Sequence, residues 1–398
     1  MTLFVRCLLV LLAVFHPPVS ARPPAKPATF LLNGELLRLH KEKIQKGDTR
    51  LRKALDAVLK TAEKTLSNPA YSVMQKTRNP PSGDKHDYMS VGPYWWPDPT
   101  KPDGLPYIRK DGQVNPERSA IPDADNFKKL VQDVQVLTVS YYFTEEERFA
   151  RRAAELLRVW FLDEATRMNP HLKYGQAIPG ITEGRGIGLI DTRGLATLTD
   201  AVQLLKSSRA WSTRDEAGMQ NWARQFLDWM QTSPIGRDEE DEHNNHGTYY
   251  DLQAVALALY TGNQALARQI LEQKTTQRIA SQLKPDGSQP HELARTLSWN
   301  YSLMNLTGFF GLAQLAENVK VDLWTYQTPD GKSIRKAYEW MLPFAEGKKP
   351  WTHQQIKALH PEEFAPLRVV AAARFAEPNE TPVKEPEDSF FVLTHSLF

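Results

Sequence analysis

The chain has 398 residues, 41% hydrophobic and 10% aromatic, which is enough apolar material for one large core or two smaller ones. Its 49 Lys and Arg nearly balance 47 Asp and Glu, leaving a formal charge of +2. That balance, without a basic run interleaved with stacking aromatics, argues against a nucleic-acid-binding surface; an anionic ligand has to be met by local charge.

The first residues have the pattern of an export signal. Arg6 precedes the apolar run Cys7-Leu8-Leu9-Val10-Leu11-Leu12-Ala13-Val14-Phe15, and the small-residue site Val19-Ser20-Ala21 precedes a Pro-rich start at Arg22. The run is too short for an ordinary transmembrane helix. The one cysteine, Cys7, lies inside it without the small residues that precede a lipid-anchored cysteine. A signal peptide over residues 1–21 and a single soluble, disulfide-free domain over 22–398 are therefore expected, secreted or periplasmic.

Apolar residues then recur at helical spacing for most of the chain. Stripes run through Leu51, Leu55, Val58, Leu59, Ala62 and Leu66, and through Phe127, Leu130, Val131, Val134, Leu137 and Tyr141. Others follow at Leu195–Leu205, Met219–Trp229, Leu252–Leu259 (stopping near Gly262) and Trp299–Phe310, with weaker ones at Leu266–Ile279, Ile334–Met341 and Leu367–Phe375. A helix start is also expected after Pro361. Two irregular stretches break the pattern: Asn79–Pro122, with Tyr94-Trp95-Trp96 at its centre, and Tyr174–Gly186. Long loops in compact domains are usually functional or disordered, and three adjacent aromatics argue against disorder. No strands alternate with these helices and no glycine-rich nucleotide fingerprint occurs, so the fold class is all-α. The absence of a fixed repeat of about 33–45 residues favours an (α/α) toroid, an incomplete barrel of helix hairpins with long loops lining a cleft, over a solenoid.

Two polar clusters carry the chemistry. In Asp241-Glu242-His243-Asn244-Asn245-His246-Gly247-Thr248-Tyr249-Tyr250-Asp251, an amide and an imidazole stand at the start of a helix, where free N–H groups favour an anion. Helix capping explains one asparagine but not the density of the cluster. A metal site using His243, His246, Asp241, Glu242 and Asp251 is the rival reading, but the His-Glu-x-x-His spacing is missing and no metal is expected. The second cluster, Glu292-Leu293-Ala294-Arg295-Thr296-Leu297-Ser298-Trp299-Asn300-Tyr301, sets a guanidinium near a phenol. A nearby cation favours the phenolate and is expected to lower the Tyr301 pKa; alone, an exposed arginine and a helix-face tyrosine explain the pair equally well. Tyr94, Trp95 and Trp96 suit either a sugar-stacking platform or a cluster pinning the loop. Gln176, Arg185, Asn244, Tyr249 and Trp299 complete the candidate substrate contacts, while Glu183, Arg185, Asp191 and Arg193 fit a structural ion-pair network as well.

Asn244-Asn245-His246-Gly247-Thr248-Tyr249-Tyr250-Asp251 before an apolar helix, with Arg295 and Asn300-Tyr301 downstream, resembles the alginate lyase family, as does Tyr94-Trp95-Trp96-Pro97-Asp98-Pro99. The resemblance runs from about Leu31 to beyond Ala345 and implies a cofactor-free (α/α) toroid that cleaves a polyuronate by β-elimination. It implies that Asn245, His246 and Arg295 neutralise the uronate carboxylate and that Tyr301 is acid and also base, with His246 as an alternative base. Where better-known members carry Tyr-His-Asn-Tyr, this chain has Ser298-Trp299-Asn300-Tyr301. The expected partner is an anionic polysaccharide, alginate with mannuronate-rich stretches favoured. The alternatives are another uronan such as glucuronan, a glycoside hydrolase pairing Glu183 with Asp241 or Glu242, and a non-catalytic glycan-binding protein.

Overall fold

The computed structural model describes residues 25–375 and 386–398; the expected signal at residues 1–21 lies outside the described residues. Helices α1 (Gly34–Gln45) and α2 (Thr49–Thr65) start on the side-chain caps Asn33 and Asp48. They are followed by α3 (Asp123–Thr144), α4 (Glu147–Leu157), α5 (Leu195–Leu205), α6 (Thr213–Thr232) and α7 (Pro234–Glu240). Next come α8 (Asn245–Tyr260), α9 (Gln264–Gln269), α10 (Thr276–Gln282), α11 (Pro290–Leu293) and α12 (Ser298–Glu317). The last are α13 (Ile334–Ala345), α14 (Ala365–Phe375) and α15 (Ser389–Thr394). Each apolar stripe read from the sequence lies on one of these helices; the Leu266–Ile279 stripe spans α9, a π-helical turn at Ile270–Thr275 and α10. A 3₁₀ turn at Pro361–Phe364 leads into α14.

Four very short strands were not expected. β1 (Met89–Val91) pairs in parallel with β4 (Tyr174–Ala177), and β2 (Trp95–Trp96) pairs antiparallel with β3 (Ile108–Arg109). The first pair stitches the two irregular stretches together and the second folds the longer stretch on itself; neither makes a sheet layer. The long loop is also closed at its base, where Lys76 and Asp123 form a fully buried ion pair at 3.0 Å. Asp123 Oδ2 accepts the Met89 N–H, and Lys76 donates to the Lys85 carbonyl.

The helix that positions the site is α8. Every residue of it except His246 is buried, as its all-round apolar composition requires. It packs on α5, α6 and α12. Tyr249 donates to the Met304 carbonyl, while a Cβ on Gly308 would lie 2.9 Å from Thr248 and one on Gly311 2.9 Å from Leu252. Running in the same direction along both helices, these contacts set α8 and α12 parallel, with the first turn of α12, which carries Tyr301, at the same end as the first turn of α8.

The turn entering α8 is fixed by Arg278 of α10. Its guanidinium is bidentate to Asp251 at 2.7 and 2.9 Å and donates to the carbonyls of Glu240 and Glu242. The fit leaves no room at Gly247, where a Cβ would meet Arg278 Nη1 at 2.0 Å and the Glu242 oxygen at 2.1 Å. Gly247→Ala should therefore cost about 1–3 kcal/mol of stability by overpacking. Asp251→Ala should cost about 3–5 kcal/mol because it leaves a buried cation unpaired. Denaturant unfolding checks both; an unchanged midpoint for either would mean that the turn yields.

Candidate active site

Asn244 is the N-cap of α8. Its Oδ1 accepts the His246 N–H at 2.9 Å and its Nδ2 donates to Glu242 at 3.0 Å, so the capping role describes it better than the expected substrate contact. Asn245 is 1% exposed and bound by a carboxylate absent from the sequence-based site: Glu292 of α11 accepts its backbone N–H at 2.6 Å and its Nδ2 at 2.8 Å. His246 has a similar backing. Its Nδ1 lies 2.9 Å from Oε1 of Glu239, a buried residue of α7. Paired in this way, a neutral imidazole carries its proton on Nδ1 and presents Nε2 as the basic nitrogen.

Burial pushes the Glu239 carboxyl up to about 7, against the pull of His246. Burial opposes a charged His246, yet the facing Glu239, helped by Glu242 and Glu292, overcomes it and raises the imidazole above its ordinary value. Burial also raises Glu292, with the two bonds from Asn245 working the other way.

At the head of α12, the Tyr301 hydroxyl is 2.6 Å from the hydroxyl of Tyr94. The Arg295 guanidinium lies over the Tyr301 ring, 3.7 Å from its centre. Arg295 is held in turn by Asp111 of the long loop, at 2.7 and 3.2 Å, and Asp111 also accepts from the backbone and hydroxyl of Thr296. Burial pushes the Asp111 carboxyl up, but Arg295 and Thr296 overcome it and hold the group well below the usual range. The lowered pKa expected for Tyr301 is corrected here. Burial is the largest influence and raises it well above the ordinary value; Arg295 pulls the other way, and the Tyr94 hydroxyl raises it further. Tyr301 is thus a protonated phenol at neutral pH.

The loop aromatics divide. Tyr94 reaches Tyr301. Trp95 lies beside Arg185, whose guanidinium is 5.8 Å from its ring, and a Cβ on Gly92 would strike both. Trp96 is pinned by a bond from Nε1 to the Gln113 carbonyl, with Lys110 over its ring. Gln176 is buried and orients Arg185: its carbonyl and Oε1 accept from the guanidinium at 3.0 and 3.2 Å, and its Nε2 donates to Asp191. Asp191 is bound by Tyr88, Ser90 and Gln176 and makes no ion pair among the described residues, so around it the alternative of a structural ion-pair network gives way to hydrogen bonds. Arg185 likewise has no carboxylate partner among the described residues, which leaves its charge for a ligand.

Tyr249 and Trp299, expected at the substrate, belong to the packing. Tyr249 is 4% exposed with its hydroxyl on the Met304 carbonyl. Trp299 is wholly enclosed, edge-on to Trp351 at 5.2 Å and near Phe364. Buried amides brace this end of both helices: Asn305 donates to Gln282 and Gln289, Thr248 donates to Gln282, and Gln282 donates to the Asn244 carbonyl. One turn further along, a cavity of about 530 Å³ between α3, α5, α8 and α12 is lined by Lys128, Arg193, Tyr249, Met304 and Phe398, among others. A wider groove of about 780 Å³ beside α6 contains none of the candidate residues. No three His, Cys, Asp or Glu side chains converge as a metal-ligand set among the described residues.

The sequence profile of the alginate lyase family matches residues 72–351. Among solved structures, an alginate lyase from Bacteroides ovatus is 39% identical over 94% of this chain and 100% of its own, with a TM-score of 0.84. Alginate lyase A1-III from Sphingomonas species A1 is 18% identical over 96% of this chain and 98% of its own, with a TM-score of 0.61. A variant of A1-III complexed with a tetrasaccharide matches equally well. A comparison with curated proteins finds no match. The fold is the (α/α) toroid of these enzymes. With the family profile spanning most of the chain and a relative this similar over nearly all of it, the protein belongs to the alginate lyase family.

Proposed function

We propose that this protein is a polysaccharide lyase that cleaves alginate by β-elimination, with Asn245, His246, Arg295 and Tyr301 as its working residues. The observation that carries the reading is the meeting of a carboxylate-backed imidazole, a carboxylate-backed amide and an arginine-covered phenol at the heads of two parallel helices. The complexed tetrasaccharide in a structural neighbour supports an oligosaccharide ligand, and Arg185, beside Trp95 and without a carboxylate partner, suits an anionic one. The signal-like N-terminus supports a secreted or periplasmic location.

The C5 proton of a uronate is weakly acidic while the adjacent carboxylate is charged. Donors from Asn245 and Arg295 stabilise the enolate-like charge that builds up as the proton leaves. A base removes the C5 proton, electrons close the C4–C5 double bond, and an acid protonates the glycosidic oxygen departing from C4. Tyr301, held as a neutral phenol and hydrogen-bonded to the Tyr94 hydroxyl, suits the acid role. His246 Nε2 suits the base for guluronate, where the two groups lie on opposite faces. For mannuronate they share a face and Tyr301 has to serve as both, a role its raised pKa opposes.

Removing the acid in Tyr301→Phe should lower kcat by about 10²–10⁴-fold while oligosaccharide binding survives; full activity would refute the assignment. If His246 is the base, activity rises with pH as the imidazole loses its proton, and Glu239 sets where that happens. Glu239→Gln removes the charge that raises the His246 pKa, so the acid limb of kcat/KM should move to lower pH. An unmoved limb would mean that another group titrates. Arg185→Met should raise KM by roughly tenfold with kcat little changed, the signature of lost uniform binding; a matching fall in kcat would place Arg185 in the chemistry instead.

A further inference from the structure

The Asn245 amide is bound at one end only. Its Nδ2 and backbone N–H both go to Glu292, while its Oδ1 is buried with no hydrogen-bond partner among the described residues. A buried acceptor left unmet is destabilising. Glu292 is 1% exposed and makes no ion pair among the described residues. As a carboxylate it only accepts, so it holds the NH₂ end of Asn245 and leaves the oxygen over. Glu292 takes one of the two Nδ2 N–H groups, so this orientation leaves a uronate carboxylate at most one donor beside the unmet oxygen, where the opposite orientation offers two.

Building on the lyase reading, we propose that Glu292 is a positioning residue whose protonation turns the Asn245 amide end for end when substrate binds. Glu292 takes one proton from solvent on Oε2, and the new O–H donates to Asn245 Oδ1. Oε1 continues to accept the Asn245 backbone N–H, and the freed NH₂ group donates to the uronate carboxylate. One proton moves and no bond to carbon changes. One negative charge leaves the pocket as another arrives, which avoids two ionised carboxylates sharing a buried site. Arg295 and His246 face Glu292 and favour its charged form, and burial opposes them. Glu239 and Glu242 face His246 in turn, and Tyr249 on α8 also senses Glu292.

The test is calorimetric titration of the Tyr301→Phe protein with an alginate tetrasaccharide, in buffers of different ionisation enthalpy. Binding should take up as much as about one proton per site, with affinity falling by up to about tenfold per pH unit as pH rises. In Glu292→Gln on the same background, an amide N–H stands permanently where the acid O–H would be, so proton uptake and the pH dependence should both disappear. Equal uptake in the two proteins would overturn the proposal. So would zero uptake in the Tyr301→Phe protein, the outcome if Oδ1 accepts a sugar hydroxyl while Glu292 stays ionised. Unsaturated product formed by the unmodified enzyme is scored separately: its absence would overturn the lyase reading itself, whereas a working lyase without proton uptake overturns this inference alone.

Discussion

A single guanidinium under the first turn of α8 holds the rest of the site in place. Arg278 binds Asp251 within α8 and two carbonyls of the turn before it, so helix and turn cannot move independently. The turn carries Asn244, whose cap starts the helix at Asn245 and His246. Because α8 is otherwise buried on every side, its first turn is the part left to meet a ligand. Gly247 is then a steric necessity, since any side chain would displace the arginine.

Three carboxylates stand behind the residues proposed to act, and each has a different environment. Glu239 backs His246, Glu292 backs Asn245 and Asp111 backs Arg295. Asp111 is bound directly by a guanidinium and stays ionised; neither of the other two is, and burial pushes both up. Groups that charge reluctantly suit a pocket that must admit a polyanion. The long loop takes part directly, anchored at its base by Lys76 and Asp123 and reaching the site through Asp111 and Tyr94.

Much of this was legible in the sequence because helical period survives wherever one face is apolar. The helices overlooked are instructive. The buried face of α4 relies on Ala150, Ala153 and Ala154 among arginines and glutamates, and α7 and α15 are too short to show a period. In the polar clusters, residue type alone did not separate the side chains proposed to act from those that pack. Trp299 and Tyr249 looked like ligand contacts and are core. Glu292 stood in the second cluster without a role, and Glu239 lay in an acidic run that reads as solvated surface. Asp111 is 184 residues from Arg295, a separation that no local pattern spans. The Tyr301 pKa ran opposite to expectation because a nearby cation was visible in sequence and burial was not.

Ultraviolet absorbance of the conjugated C4–C5 double bond, followed while the purified protein is incubated separately with polymannuronate and polyguluronate, tests the central claim most directly. The account predicts a steady rise with an alginate polymer. New reducing ends without that absorbance would contradict elimination and point to hydrolysis; unaltered polymer would contradict alginate cleavage altogether.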